Sequence, residues 1–389
     1  MINRFFIKFK INFFFKKQSV KEVVSNYYKS NNFLYYSYGR ACLFHVLKKE
    51  LCKERNEVIT SPLTLPAIIE TIKLAGAKIK YVDIDINTGL PNFTELKSKI
   101  NSKTNSILIT HLYSDKKKLK QISSLKNKFK KINIIEDLAI NFGIKNSKNK
   151  FTSLNADYSF FSFNFMKNFH TILGGALYIK NKKKLKDLRL KQLNFIDFDI
   201  ITIIKTLLKC SIIKIFSNKF FFYAFLFYLI KNIEIKNIKF FKKFIYPGFY
   251  AGKLNKKIFY FKINNLGKIF FPRNKNEISE DLNKRKKKSL LYFKNLHENN
   301  NLILFKPDNI ESINLEYLII VKNDFKKLYK FLLDRNIYLR QHWYKNNSEK
   351  MKNSNFLSQN SLLLPTHQNI NETNVIYISK VINKFYETL

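Results

Sequence analysis

The sequence has few residues of the kinds that cross-link or stiffen a chain: 3 cysteines, 7 prolines, 9 glycines and 1 tryptophan among 389 residues. The cysteines (Cys42, Cys52 and Cys210) are odd in number, widely spaced and without a CxxC pair, which argues against a disulfide framework and a zinc site. We therefore expect reduced thiols and a cytoplasmic protein. The 6 histidines form no cluster with cysteine or aspartate at ligand spacing, so we expect no metal ion.

Acidic residues are also scarce, with 28 Asp+Glu against 71 Lys+Arg and a formal net charge of +43. One explanation is a polyanionic partner, either nucleic acid or an anionic membrane surface. The other is compositional drift, because the excess is lysine and the other abundant residues share A/T-rich codons. The lysines are spread along the chain and accompany no nucleic-acid-binding motif. We favour drift and expect no nucleic-acid partner.

Long apolar runs are missing too. In the N-terminal MINRFFIKFKINFFFKK, Lys8 and Lys10 interrupt the apolar residues and no cleavage site follows, which favours an amphipathic helix over a signal peptide. Residues 196–250 are rich in Ile, Phe, Leu and Tyr, but their longest uncharged run, Phe220–Ile230, is far shorter than the roughly 20 residues of a spanning helix. Two interpretations stay open: an interfacial helix peripheral to a membrane, or a helical insertion packed on its own domain or a second subunit.

Between Tyr35 and Lys180 short apolar runs alternate with helical stretches, which is typical of an α/β domain with a mainly parallel sheet. After Pro272 the pattern predicts a small α+β domain. The predicted division is an N-terminal helical arm (1–34), a large α/β domain (35–195), an apolar and basic helical insertion (196–275) and a small C-terminal α+β domain (276–389). The strands predicted in the large domain are 57–60, 78–85, 106–113, 132–137, 158–163 and 175–179.

Ligands of such sheets bind at the carboxyl ends of the strands, and two segments place chemistry there. In SYGRACLFHVL (37–47), Gly39 opens a helix whose free N–H groups form an anion site. In INIIEDLAINFG (132–143), an apolar strand ends in Glu136 and Asp137, of which only one can face a pocket. An acid at that position can pair with a cationic ring nitrogen and keep it protonated.

The third segment is YSFFSFNFMKNFHTILGGALYI (158–179), in which Ser162 and Lys167 lie between two apolar strands and before a Gly-Gly pair. A lysine desolvated in such a place has a lowered pKa and becomes a nucleophile toward an aldehyde. Ser162 is placed to bind a phosphate.

Taken in order, these pieces resemble the DegT/DnrJ/EryC1/StrS family, the fold-type-I, pyridoxal-phosphate-dependent sugar aminotransferases. The similar stretches are GRACL, EVITSPLTLPAIIETIKLAGAKIKYVDID, SILITHLYS, IIEDLA, FSFNFMKN with GGALYI, and LLLPTH. They cover most of the chain outside residues 196–275. The lysine follows the serine of FSFNFMK by the spacing that the family shows.

The resemblance implies a role for each matching residue. Lys167 matches the lysine that holds the cofactor as a Schiff base and moves the proton, and Asp137 matches the acid paired with the pyridine nitrogen. It also implies a nucleotide-linked keto-sugar as substrate, glutamate as the amino donor, surface polysaccharide or glycan biosynthesis as the context, and a homodimer. The phosphate ligands are matched by Gly39, Arg40, Ala41 and Ser162.

The chain departs from the family pattern around the cofactor ring. Leu65 stands where an aromatic residue commonly stacks on the ring, and Ile140 stands where Gln or His approaches the ring hydroxyl. Ser114 replaces a glycine, and the usual motif that completes a partner's site is missing between Phe261 and Asp281, where Asn264 and Asn265 are the candidates. Leu and Ile can still enclose a ring by dispersion. The alternative function is therefore a pyridoxal-phosphate-binding homologue with weakened catalysis.

Histidines supply the remaining candidates. His111, at a strand end, is expected to be a hydrogen-bonded structural residue. The candidate substrate contacts are His170, His342 and His367.

Overall fold

The structure is a computed structural model. It describes residues 2–3, 18–113, 116–143, 151, 154, 156–165, 167–198, 200–217, 222–236, 254–263, 265–307, 316–341 and 351–388. The strands are β1 (Ile2–Asn3), β2 (Phe33–Tyr36), β3 (Glu57–Thr60), β4 (Lys78–Tyr81), β5 (Thr104–Thr110), β6 (Asn133–Asp137), β7 (Tyr158–Ser162), β8 (Gly175–Ile179), β9 (Leu302–Leu304), β10 (Glu316–Val321), β11 (Ile337–Tyr338), β12 (Arg340–Gln341) and β13 (Ser361–Pro365). The α-helices are α1 (Val20–Tyr28), α2 (Gly39–Glu50), α3 (Pro66–Ala75), α4 (Phe93–Lys99), α5 (Lys116–Lys128), α6 (Lys182–Gln192), α7 (Ile200–Ser217), α8 (Phe227–Ile235), α9 (Lys275–Asn295), α10 (Phe325–Asp334), α11 (Lys352–Asn360) and α12 (Glu372–Glu387). A π-helical turn covers Phe222–Leu226, and 3₁₀ turns cover Lys256–Tyr260 and Asn265–Ile269.

The larger sheet has seven strands in the order β2-β8-β7-β6-β5-β3-β4. The five strands from β7 to β4 run parallel, and β8 pairs antiparallel with both β2 and β7. All seven residues of β5 are buried, as expected for a strand covered on both faces. The mainly parallel α/β sheet predicted from the sequence is confirmed.

The two faces of this sheet bury different residues. Leu108 of β5 and Ile135 of β6, which are paired in register, pack with α2 and α3. Their neighbours Ile107 and Ile134 pack on the opposite face with residues of α4 and α5. Because side chains alternate along a strand, this assignment fixes the face to which each residue at the strand ends belongs.

A second sheet, β12-β13-β10-β9, is antiparallel. Its strand β10 is covered by α9, whose Tyr292 stacks on Tyr317 with ring centroids 5.6 Å apart. The small α+β unit is thus present after residue 275, while the predicted four-part division of the chain stays a prediction.

Some elements differ from the prediction. Ile2–Asn3 form a strand that pairs with β11 where a leading helix was predicted, and residues 4–17 lie outside the described part of the chain. The predicted strand 78–85 ends at Tyr81, because Asp83 turns away to accept the Asn353 and Ser354 backbone N–H groups at 3.0 and 2.9 Å. None of the described helices is long and apolar enough to cross a membrane.

Candidate active site

Lys167 lies in the loop between β7 and β8, which the backbone closes tightly. Phe163 N–H donates to Gly174 O at 2.7 Å, Thr171 N–H donates to Phe163 O at 2.9 Å, and Lys167 N–H donates to Asn164 O at 2.8 Å. Burial lowers the pKa of the Lys167 amine to about 8, against the opposing effect of Asp137. The structure therefore holds a lysine whose neutral, nucleophilic form is accessible near neutral pH.

Asp137 ends β6 on the α2 side of the sheet, since it is in register with Thr110 and Phe160. It is buried, and its Oδ1 accepts the Ala139 N–H at 3.0 Å. Burial raises the pKa of Asp137, while the Ala139 N–H, Lys167 and His111 lower it. No ion pair within 4 Å joins Asp137 to Lys167, so the two charges act on each other across a gap.

Glu136 lies on the opposite face of the sheet from Asp137. It is fully buried, its Oε2 accepts the Ser159 hydroxyl at 2.7 Å, and its Oε1 lies 3.2 Å from His111 Nε2. His111 also donates its backbone N–H to Asp137 O at 3.1 Å, and its carbonyl accepts Asn141 Nδ2 at 2.9 Å. Glu136 and His111 therefore stabilise the end of β6 from the face opposite the Asp137 side chain. For His111, this is the hydrogen-bonded structural role that the sequence predicts.

Gly39, Ser162 and Gly175 meet at the start of α2. A Cβ on Gly39 would lie 3.1 Å from Ser162 Cβ, and a Cβ on Gly175 would lie 2.5 Å from Gly39 N. Ala41 N–H donates to Tyr38 O at 3.1 Å, which leaves the earlier N–H groups of the helix without an intrahelical acceptor. The predicted phosphate-binding turn and serine are thus brought together by the structure.

The Arg40 side chain lies over the Tyr38 ring, with its guanidinium carbon 4.4 Å from the ring centroid. Arg40 Nε is buried and has no hydrogen-bond partner among the described residues. Burial lowers the pKa of Arg40. A desolvated guanidinium beside free helix N–H groups is suited to an anion.

Two charged residues of the small sheet also influence Lys167 electrostatically, and sequence reasoning missed both. Arg340 Nη1 lies 3.3 Å from Glu316 Oε2, and the pKa of Lys167 is lowered by Arg340 and raised by Glu316. The signal in the sequence is a charged residue within the apolar run IYLRQHWY. Also missed were Thr60 and Thr110, whose buried hydroxyls at strand ends have no hydrogen-bond partner among the described residues.

The loop after Lys167 is strained at Ile172, which has φ 69°. A β-branched residue in the left-handed region is uncommon and costs free energy. Ile172 is buried in a cluster with Leu173, and this packing holds the unfavourable backbone in place. Backbone strain of this kind concentrates at ligand-binding and catalytic sites.

For the other predicted site residues, the structure gives a position but no contact that assigns a role. Leu65 is 38% exposed at the N-terminus of α3, and Ile140 is half-buried just after β6. His170 is buried, with its ring stacked on Phe270 at 5.8 Å between centroids, and His367 accepts Lys288 Nζ at its carbonyl oxygen at 2.8 Å. Their roles toward substrate stay predictions. His342, Ser114 and Asn264 lie outside the described residues.

A mainly parallel sheet with a half-buried lysine and a buried acid at its carboxyl edge has counterparts among known proteins. Residues 15–195 match the model of the DegT/DnrJ/EryC1/StrS aminotransferase family. This match covers a little under half of the chain, and it agrees with the resemblance that the motifs indicate.

Two curated relatives and one solved structure show how far the similarity extends. The chain is 37% identical over 134 residues to GDP-perosamine synthase of Escherichia coli O157:H7, which is 34% of this chain and 36% of the relative. It is 30% identical over 152 residues to dTDP-4-amino-4,6-dideoxy-D-glucose transaminase of Shigella dysenteriae, which is 39% of this chain and 41% of the relative. The sequence matches thus span well under half of either relative.

The fold matches over a longer stretch. Helicobacter pylori PseC, an aminotransferase involved in the biosynthesis of pseudoaminic acid, superposes with a TM-score of 0.69 at 17% identity, over 96% of this chain and 94% of that chain. The fold-type-I architecture therefore extends through both sheets.

Proposed function

We propose that the protein is a pyridoxal-phosphate-dependent aminotransferase that transfers an amino group, with glutamate as donor, to a nucleotide-linked keto-sugar for surface polysaccharide or glycan biosynthesis. The observation that carries this proposal is Lys167, a lysine with a pKa lowered to about 8 by burial, which faces the buried Asp137 at the carboxyl edge of the sheet. The match of residues 15–195 to the model of the DegT/DnrJ/EryC1/StrS aminotransferase family supports the reaction class.

The residues present fit the cofactor. Gly39 and Ser162 approach so closely that a Cβ on Gly39 would fill the turn, and the unpartnered Arg40 Nε lies beside them. Free helix N–H groups, a hydroxyl and a guanidinium form a suitable donor set for a phosphate dianion. We assign the phosphate to Gly39, Arg40, Ala41 and Ser162.

Bound pyridoxal phosphate supplies an electron sink that makes a substrate C–H bond acidic. Asp137 would hold a proton on the ring nitrogen, and its burial makes that charge pair strong. Lys167 Nζ would attach the cofactor, and after release it would accept and return the substrate proton. Its pKa of about 8 suits both directions of proton transfer.

The names of the relatives support the substrate class, since they include a GDP-sugar synthase and a dTDP-aminosugar transaminase. Arg340 and Glu316, which form an ion pair with each other, add one cation and one anion whose charges act on Lys167. We propose that Arg340 receives the carboxylate or a phosphate oxygen of a substrate. We also propose a homodimer, on the family resemblance, and a cytoplasmic location, on the small number and wide spacing of the cysteines.

The alternative is a homologue that binds the cofactor but turns over weakly. It is favoured by one observation: at Leu65, where an aromatic ring would cover the cofactor, an aliphatic side chain stands 38% exposed. Ile140 also favours this alternative, because it offers no hydrogen-bonding side chain to the cofactor ring.

The test is to add pyridoxal phosphate to the purified protein and record the visible absorption band of the lysine-bound cofactor. We expect the band in the wild type and its absence in Lys167→Ala. Loss of the band when glutamate is then added identifies a transaminase, whereas a band that persists identifies the cofactor-binding homologue. A wild type without the band, or a Lys167→Ala variant that retains it, contradicts the assignment of Lys167.

A further inference from the structure

We propose that α7 is a membrane-contact helix, which lies in the plane of an anionic lipid surface. The helix carries five aliphatic side chains that are each between 49% and 59% exposed. Their spacing, at three or four residues, places all of them within one narrow stripe along the helix. The five residues are Ile201, Ile204, Leu208, Ile212 and Ile215.

Another face of α7 provides the attachment to the protein. Leu207 packs on the cluster of Ile172 and Leu173, next to the active-site loop. The exposed stripe lies beside that contact and, at 1.5 Å per residue, runs for roughly 20 Å along the helix. A contiguous apolar surface of this length on a soluble domain marks an interaction site.

The charge of the helix favours lipid over a second copy of the chain. The sequence of α7 contains lysines and no acidic residue, and Lys205 is exposed one turn before Leu208. Pairing two α7 stripes about a twofold axis would bring identical basic sides together. An anionic headgroup layer instead attracts each lysine.

The neighbouring segment continues the apolar character. Phe225, in the π-helical turn, is 67% exposed, and Tyr228 of α8 is 62% exposed. Aromatic side chains of this kind concentrate at membrane–water interfaces. No described helix can span a membrane, so the contact is peripheral, with the aliphatic stripe in the acyl boundary and Lys205 at the headgroups.

The experiment is co-sedimentation of the full chain with vesicles of phosphatidylcholine alone, or of phosphatidylcholine and phosphatidylglycerol in equal parts. The test variant is Ile204→Asn with Leu208→Asn, which removes apolar surface without changing the net charge. The matched control is Leu190→Asn with Tyr377→Asn, two exposed apolar residues on α6 and α12. Circular dichroism and thermal melting check that each variant is folded.

We expect the wild type and the control to bind the anionic vesicles. The test variant should bind at least about tenfold more weakly, because it lacks two aliphatic side chains that would insert into the lipid. We expect weak binding to phosphatidylcholine alone. Equal binding of the test variant and the control overturns the proposal, because charge alone then explains it. A test variant that is a monomer while the control is a dimer also overturns the proposal, since α7 is then a subunit interface. None of these readouts depends on aminotransferase activity.

Discussion

At the scale of single residues, Lys167 couples the site to the stability of the fold. Its pKa is about 8 in the folded protein against 10.5 for a free lysine. Below pH 8 the folded protein must hold the desolvated Lys167 cation, and the full cost of that desolvation is subtracted from the free energy of unfolding. Between pH 8 and 10.5 the unfolded chain binds more protons, so stability rises with pH as this cost disappears.

Replacing Lys167 by Met should therefore stabilise the cofactor-free protein by roughly 1 to 3 kcal/mol below pH 8, and the gain should vanish above about pH 10.5. Urea unfolding of both proteins across this pH range measures the difference. Lys97→Met, at an exposed position, should show no such pH dependence. If the stabilisation by Lys167→Met were the same at every pH, it would come from removing a polar group, and the charge of Lys167 would make no contribution.

Asp137 and Glu136 are adjacent acids with opposite surroundings, which makes them a matched pair. Asp137→Asn keeps an oxygen for the Ala139 N–H, so we expect little change in stability, but a loss of activity of at least about a hundredfold, since a neutral amide cannot hold the ring proton. Glu136→Gln disturbs the buried contacts with Ser159 and His111 and should cost about 1 to 3 kcal/mol of stability while the cofactor band is kept. Melting curves and the absorbance assay separate the two effects, and the reverse pattern would exchange their roles.

At the scale of elements, the close approach of β8 to the start of α2 controls the shape of the phosphate turn. In Gly175→Ala the new Cβ would lie 2.5 Å from Gly39 N, which forces the turn to shift. We expect a destabilisation of about 1 to 3 kcal/mol and a weaker affinity for pyridoxal phosphate, measured by titration of the absorption band.

The control for that change is Gly76→Ala at the end of α3. Gly76 has φ 96° and open space where a Cβ would lie, so the substitution strains the backbone at a distance from the site. It should lower stability by about 1 kcal/mol and leave cofactor affinity unchanged. Equal affinity losses in both variants would show that general destabilisation is the cause.

The elements that the sequence predicts well are those whose apolar residues are contiguous and whose ends carry turn residues. The predicted strand 57–60 coincides with β3, and 175–179 coincides with β8. The lysine-rich helix α6 was not predicted because it buries only Leu185 and Leu188, too few for a visible apolar period. The strand 78–85 was predicted too long, because a distant contact between Asp83 and α11 ends it.

The residues of the candidate site also fall into those that the sequence predicts and those that it does not. Gly39, Asp137 and Ser162 could be predicted because each lies at the end of an element that the local pattern defines, and Lys167 because it lies in the loop that joins two such elements. Arg340 could not, because its electrostatic effect on Lys167 depends on how the small sheet packs against the large one. Contacts between segments so far apart in the chain leave no periodic signal in a single sequence.

At the scale of the whole molecule, this packing makes the two sheets share one electrostatic site. Arg340 lowers the pKa of Lys167 and Glu316 raises it, although both belong to the small sheet. In the cofactor-free protein, Arg340→Gln should therefore raise the pH midpoint at which Lys167 reacts with an amine-acylating reagent, and Glu316→Gln should lower it. Mass spectrometry of the labelled peptide gives the midpoint for each protein, which we expect near pH 8 in the wild type.

The matched controls are Lys284→Gln and Glu280→Gln, which change the net charge by the same amounts at an exposed ion pair of α9. Because solvent and salt screen exposed charges, these variants should leave the midpoint in place. Opposite shifts for Arg340 and Glu316 that exceed those of the exposed controls would show that both side chains act on the Lys167 amine in solution, as they do in this packing of the two sheets. Shifts in the same direction, or none, would mean that the sheets stand apart there and that Arg340 does not contact substrates bound at Lys167.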